Sequence, residues 1–535
     1  MNQTKQPTNT GALATLVMVF FFWGFIAASN SIFIPFCKTH FSLTQFESQL
    51  IGSAFYGAYF IGSLILFISS NILGYDILNK IGYKKGIIYG LFISVVGALL
   101  IIPSANANSF AAILASYFVI ALGFSLQQTA AQPFAISLGD PSTGSHRLNL
   151  AGGVNSLGTT LGPIIVSFFL FGGCGTDNKL VTVTNINTLY LIVAAVFAAV
   201  AIFFAISKLP SGKNEEKFEK ANKAAGSLLL MTGVIIVLII IGQLTNVSKL
   251  SMLVVALFAI VGILFYSNNN AVKNNDGWGA MKYQQLIYGM IGIFVYVGVE
   301  VTIDNNFGAL LKTPGYLTDQ GLDVSKISKY VSLYWGSLMI GRWTGAISVF
   351  NLSAQARKIA TFIVPFVAFA VVIFANKANC TDISDLLSYA IFIAIAIAAF
   401  LYGQEKPVKT LLTVAVLATI FMLTGVFTRG IVSVYSFMAG GLCCSVMWPC
   451  IFSLGVGGLG KYTSQGSAFL IMMILGGAII PPLQGALGDV PSIGMHNSYI
   501  VAALCFAFLA WLALKLKSVL QAQGLDFDQQ VGGGH

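Results

Sequence analysis

The chain has 535 residues, 56% of them hydrophobic and 9% charged, with a mean hydropathy of +0.84. That composition excludes a string of soluble domains and describes a chain that crosses a membrane many times. The net charge of +10 would suggest nucleic acid in a soluble protein. Here it is a matter of topology, because Lys and Arg collect in loops on one side of a membrane, and no nucleic-acid partner is expected.

Taken in order, sixteen apolar runs are each long enough to cross about 30 Å of hydrocarbon as a helix. They lie at about 12–37, 48–70, 86–103, 109–133, 148–173, 187–207, 227–242, 250–266, 283–311, 325–350, 358–375, 386–402, 408–427, 431–455, 464–485 and 496–516. The first run is too long for a cleavable signal peptide and continues as a full span. With the N-terminus in the cytoplasm, most of the 28 Lys and Arg fall in cytoplasmic loops, among them Lys80, Lys84, Lys85, Lys208, Lys406 and Lys515. Both termini are therefore expected to be cytoplasmic, in a bacterial inner (plasma) membrane.

Six spans fill residues 1–208 as an N-terminal bundle. Residues 209–282 hold a charged cytoplasmic linker (SGKNEEKFEK) and an almost wholly apolar two-helix hairpin that faces membrane lipid. Residues 283–520 form a C-terminal six-helix bundle with an extra helix pair within about 358–427, and 521–535 form a cytoplasmic tail. The expected fold class is thus an all-α polytopic membrane protein: two six-helix bundles plus about four inserted helices. Such repeats are the logic of a secondary transporter with its site at the midplane. A monomer is the expected state, with the inserted hairpins the place where an oligomer would form.

Charge inside the membrane is rare and informative. Of the 18 Asp and Glu, only Glu300 and Asp304 fall well inside a span. On a helix they share a face, roughly 6 Å apart between Cβ atoms, and they persist there only by facing water, taking up a proton or holding a cation. A sodium ion near Glu300 would draw further oxygens from Asp304, Asn305 or Asn306. The neutral amides Asn30, Gln128, Gln132 and Asn155 offer hydrogen-bond donors and acceptors in pairs. Trp23, Tyr296, Tyr334 and Trp335 offer flat apolar faces. Arg147 and Arg342 lie near cytoplasmic helix ends, where the expected role is conformational: holding helices and loop carbonyls. Pro481-Pro482 beside Gln484 is expected to break helical bonding. The 4 His and 7 Cys show no metal spacing, so no metal or cofactor is expected. The chain offers no catalytic pair in the membrane, which argues against an enzyme. Cys37, Cys174 and Cys380 fall toward the outer face, and no spacing selects a disulfide among them.

Several stretches together resemble one family. They are Phe-Phe-Trp-Gly-Phe (21–25), Asn30-Ser31-Ile-Phe-Ile-Pro35, Gln128-Thr-Ala-Ala-Gln-Pro-Phe and Arg147-Leu-Asn-Leu-Ala with Asn155-Ser-Leu-Gly. In the second half they are Tyr296-Val-Gly-Val-Glu-Val, Gly341-Arg342-Trp343-Thr-Gly, Pro449-Cys-Ile-Phe-Ser-Leu-Gly and Gly476 through Gly485. The chain resembles the fucose–galactose–glucose:proton symporter family of the major facilitator superfamily, most closely its glucose/galactose branch. The basic loop Gly74–Gly86 has the flavour of that superfamily's loop, with Asn79 where an Asp is usual. The resemblance implies a two-bundle fold that alternates access to a central sugar site. The acids that fucose members carry in helices one and four match Ser31, with Asn30 beside it, and Gln128, so neither acid is present. The seventh-helix acid of the glucose/galactose branch matches Glu300. The expected function is import of a neutral hexose such as glucose or galactose at Trp23, Asn30, Gln128, Asn155, Tyr296 and Glu300. Coupling to Na⁺ or H⁺ is expected through Glu300, with Asp304 and Asn305. An uncoupled facilitator and a transport-incompetent sugar sensor stand as alternatives.

Overall fold

The structure is a computed structural model describing residues 8–43, 45–140, 143–171, 182–210, 219–245, 247–322, 324–350, 352–378, 381–403 and 406–525. Side chains 26–32 lie outside that description, Asn30 and Ser31 among them, as do residues 526–535 of the expected tail, linker residues 211–218, Cys174 and Cys380. Every regular element among the described residues is helical. The first half comprises α1 (Thr10–His40), α2 (Gln45–Leu73), short α3 (Ile77–Ile81), α4 (Tyr83–Asn106), α5 (Phe110–Ser137), α6 (Gly144–Phe171) and α7 (Val183–Ile206). A hairpin follows, α8 (Asn222–Leu244) and α9 (Lys249–Lys273). Then come α10 (Gln284–Leu311), α11 (Val324–Ala346), α12 (Ala354–Ala378), α13 (Ala390–Gly403), α14 (Pro407–Phe427) and α15 (Gly430–Val456). The chain closes with α16 (Thr463–Met472), α17 (Gly476–Gly488), short α18 (Gly494–Ser498) and α19 (Ile500–Ala522). Twelve helices among the described residues are long and apolar enough to cross a membrane.

The packing repeats between the halves. In the first, α4 packs on α5 and α7, α1 on α6, and α2 on α5. In the second, α14 packs on α15 and α19, α10 on α17, and α11 on α15. Close backbone approach recurs at equivalent places. A Cβ on Gly24 would lie 1.8 Å from the Asn155 carbonyl oxygen, and one on Gly158 2.1 Å from that of Phe21. In the second half a Cβ on Gly476 would meet the Phe294 carbonyl at 1.8 Å. Only a residue without a side chain lets these helices touch.

Helices α12 and α13 have no counterpart in this pattern. The extra pair thus spans 354–403, while α14 belongs to the repeated set. The two additions flank opposite seams between the halves: α9 packs on α10 and α17, with α8 against α2, whereas α12 packs on α11 and α6. Burial separates the roles. The hydrophobic stretches of α10 and α15 are 89% and 94% buried, those of α8 and α9 only 28% and 22%.

The loop before α13 is fastened by a buried charge. Lys329 Nζ lies 2.6 Å from Asp385 Oδ1, and the Tyr330 and Tyr435 hydroxyls donate to the same residue. Asp385→Asn strands Lys329 in a largely dry site. Because Asp385 is 31% exposed, the expected cost is discounted to about 1–3 kcal/mol. It should read as a lower unfolding temperature in detergent with unchanged sugar binding.

At the end of the molecule carrying the Lys-rich loops, here the basic end, the halves are linked. Burial pushes the Asp76 carboxyl above its usual range, against the pull of the Asn79 N–H and the Ser464 hydroxyl it accepts from. Ser464 opens α16 in the other half. Glu219, at the end of the linker, is bonded by Lys461 and Tyr462, which hold its carboxylate below the usual range.

Candidate functional site

Near the middle of the long helices, where the halves face each other, lies a cavity of about 190 Å³. The first half contributes Phe20 and Trp23 from α1, Phe55, Tyr56 and Tyr59 from α2, Gln128 and Gln132 from α5, and Gly152 and Asn155 from α6. The second contributes Val297 and Glu300 from α10, Trp335 and Arg342 from α11, and Trp448 from α15. Amides and aromatic faces on one wall and a single charged pair on the other suit one small polar molecule with apolar faces.

Two of the amides are held by neighbours. Gln128 Nε2 donates to the Tyr59 hydroxyl at 3.0 Å, and Asn155 Nδ2 to the Phe20 carbonyl at 2.9 Å. Asn155 is aimed by the Gly24–Gly158 contact, which brings its own backbone against α1. Trp23 donates its indole N–H to Gln127 Oε1 at 2.6 Å, and Gln127 reaches on to Ser94. The N–H is therefore not available to the cavity that the ring lines. Gln127 was not legible as a functional residue: it lies fully buried behind the wall.

Glu300 is the centre of the opposite wall. Its Oε1 accepts from the Tyr296 hydroxyl at 2.8 Å and from Arg342 Nη2 at 3.2 Å, while its backbone carbonyl accepts from Tyr334 at 2.7 Å. Three expectations need correction. Tyr296, expected at the sugar, is fully buried behind Glu300, where it packs on Trp448 and spends its hydroxyl on the acid. Asn305 is exposed on the far side of α10, because five residues turn a helix about 140° beyond a full turn. Arg342, expected only at a helix end, reaches the cavity. A side chain on a helix leans toward the N-terminus, and α11 enters from the opposite end, so the long arginine points back to mid-depth.

Asp304 stands one turn beyond Glu300. Its Oδ1 is buried without a hydrogen-bond partner, and the Trp335 indole faces the carboxylate. Arg147 does not reach the cavity. It is fully buried and donates to the carbonyls of Ala135, Ile136 and Asp140 and to the Thr143 hydroxyl. These bonds satisfy the open C-terminal carbonyls of α5. Behind α10, Gln484 donates to Ser498, and the helix break falls at Met473–Leu475, ahead of the proline pair. Cys37 is buried and free.

The groups on the Glu300 carboxylate are a hydroxyl donating a proton and a fixed guanidinium, both of which oppose a metal, and Asn305 faces away. Among the described residues no group of three or more His, Cys, Asp and Glu is placed to hold a metal.

Comparison with known proteins agrees with this architecture. The family model of the Major Facilitator Superfamily matches residues 13–405. A glucose/galactose transporter of Brucella abortus is 31% identical over 513 residues, covering 96% of each chain. A putative glucose/galactose transporter of Helicobacter pylori is 30% identical over 524 residues, covering 96% of this chain and 98% of its own. Among solved structures, the Escherichia coli fucose:proton symporter superposes with a TM-score of 0.62 at 22% identity, covering 94% of this chain and 98% of that one. The protein is a transporter and not an enzyme, and the chain belongs to the major facilitator superfamily, within its fucose–galactose–glucose:proton symporter family.

Proposed function

We propose that this chain imports a neutral hexose such as glucose or galactose by alternating access, driven by protons through Glu300. One observation carries the reading: a small cavity between the halves in which, among the described residues, the only charges are Glu300 and Arg342, paired at 3.2 Å. Equal and opposite charges leave no net charge in the cavity, which favours a neutral ligand over a uronate or an amine. The amides and aromatic faces opposite supply the hydroxyl and ring contacts a pyranose needs. The relatives named glucose/galactose transporters support the same substrate class.

The direction follows from the loops. Placing the basic end in the cytoplasm obeys the positive-inside rule and puts both termini on the cytoplasmic side of a bacterial inner membrane. Every hydrogen bond between the halves among the described residues lies at mid-depth or toward that end, including Ser464 to Asp76, Ser467 to Thr129 and Trp343 to Gly153. This supports an outward-facing carrier with its cytoplasmic side shut. A proton suits the Glu300 environment where Na⁺ does not. An uncoupled facilitator is the second reading, favoured by the amide Gln128 where fucose members carry an acid.

The test is uptake of labelled glucose and galactose into proteoliposomes under an imposed proton gradient, a Na⁺ gradient, or none. Accumulation under the proton gradient alone is expected. Equilibration indifferent to both gradients would establish the facilitator, and binding without counterflow a sensor.

A further inference from the structure

The proton-coupled reading leaves open how a charge change at Glu300 opens a barrier several residues away. Arg342 holds both. Its Nη2 rests on Glu300 Oε1 at 3.2 Å within its own half. Its Nη1 donates 2.9 Å to the Ser156 hydroxyl of α6 in the other half, and Nε lies 3.4 Å from the Ser445 carbonyl of α15. The next residue, Trp343, donates across the same seam to the Gly153 carbonyl at 3.1 Å, and two residues further the Gly345 carbonyl meets His146. The guanidinium is thus the first rung of a ladder running from the acid down the α6–α11 seam to the basic end. The α11 side chains lie directly on the α6 backbone there: a Cβ on Gly152 or Gly153 would meet the Arg342 or Trp343 side chain at 3.2 and 2.7 Å.

We propose that Arg342 is the positioning residue that converts the charge on Glu300 into closure of the cytoplasmic barrier. This rests on the proposed proton coupling at Glu300. While Glu300 is ionised, its carboxylate fixes the guanidinium in the pose that also bonds Ser156, and the α6–α11 seam stays shut. When a proton binds the carboxylate, the acid becomes neutral and Arg342 keeps its charge. An unpaired guanidinium in a dry seam is costly, and parting of the seam lets water reach it. Loss of the proton to the cytoplasm restores the pair and resets the carrier.

Other titratable groups face Glu300: Tyr296 and Asp304 on α10, Tyr334 on α11, Cys444 on α15 and Tyr56 on α2. Tyrosine and cysteine are ordinarily neutral below about pH 8, which leaves Asp304 as the competing titrant.

The experiment measures the distance across the basic end in reconstituted protein. Nitroxides are placed on Lys85→Cys in α4 and Gln355→Cys in α12, both exposed, in a cysteine-free background, and read by double electron–electron resonance from pH 5 to 9. In the parent a longer distance is expected to grow in on acidification. Glu300→Gln should be pH-independent with the long component dominant, and Asp304→Asn should still titrate. Arg342→Gln should lose the response, and Arg342→Lys should keep it with a shifted midpoint, which a merely structural role would not produce. If Arg342→Gln titrates like the parent while Glu300→Gln does not, the role of Arg342 is overturned and the coupling reading survives. If the parent does not respond, or Asp304→Asn alone abolishes the response, proton coupling through Glu300 falls and the present inference with it.

Discussion

Glu300→Gln is expected to abolish uphill accumulation while sparing exchange. With one proton per sugar, a gradient of about two pH units supports roughly 100-fold accumulation, since each factor of ten corresponds to about 1.4 kcal/mol. The variant should fall to a ratio of about 1. Glutamine has the shape of a protonated glutamate and carries its neutral charge, so the cavity stays formed and sugar-for-sugar counterflow should persist. Uptake under a proton gradient, run beside counterflow in the same vesicles, separates the two effects. Loss of both would mean that Glu300 is needed to bind sugar, and accumulation retained would remove it from coupling.

The second large effect is expected at a residue with no side chain. Gly158→Ala places a methyl 2.1 Å from the Phe21 carbonyl oxygen, and Gly24→Ala places one 1.8 Å from that of Asn155. Backbone cannot move aside as a flexible side chain can, so α1 and α6 must part. A destabilisation of about 3 kcal/mol is expected for either, seen as loss of monodisperse protein and a lower unfolding temperature in detergent. Because the contact also aims Trp23 and Asn155, any folded remainder should bind sugar poorly. Gly233→Ala in α8 is the control. Nothing lies within 4 Å of that position, and a gain of about 0.5–1 kcal/mol from helix propensity is expected.

Much of this was legible in the chain. Apolar runs and flanking charge gave the spans and their paired insertions, because hydrocarbon thickness fixes how long a spanning helix must be. The cost of burying charge singled out Glu300 and Asp304 among the acids, and the family resemblance chose Glu300 of the two. What sequence could not supply was side-chain direction. Arg342 lies near the end of α11 in sequence, yet its length and backward lean carry the charge to the cavity. Tyr296 lies four residues before Glu300, and only packing against Trp448 shows that it serves the acid and not the sugar. Asn305 could have been set aside from helical phase alone. Ser156 and Gln127 gave no signal, since a buried serine or glutamine in a membrane helix is as often a packing residue as a working one. The extra pair was placed too broadly because α14 is as apolar as α12. It takes the repeat of contacts between the halves to tell them apart.

The most direct test of the account is the current evoked when galactose or glucose is added to proteoliposomes on a solid-supported membrane, without any imposed gradient. Proton-coupled import through Glu300 requires a transient inward positive current that grows as the medium is made mildly acidic, is unaffected by replacing Na⁺, and vanishes in Glu300→Gln. Sugar uptake in the same vesicles with no current at any pH, or a current that follows Na⁺, would contradict it.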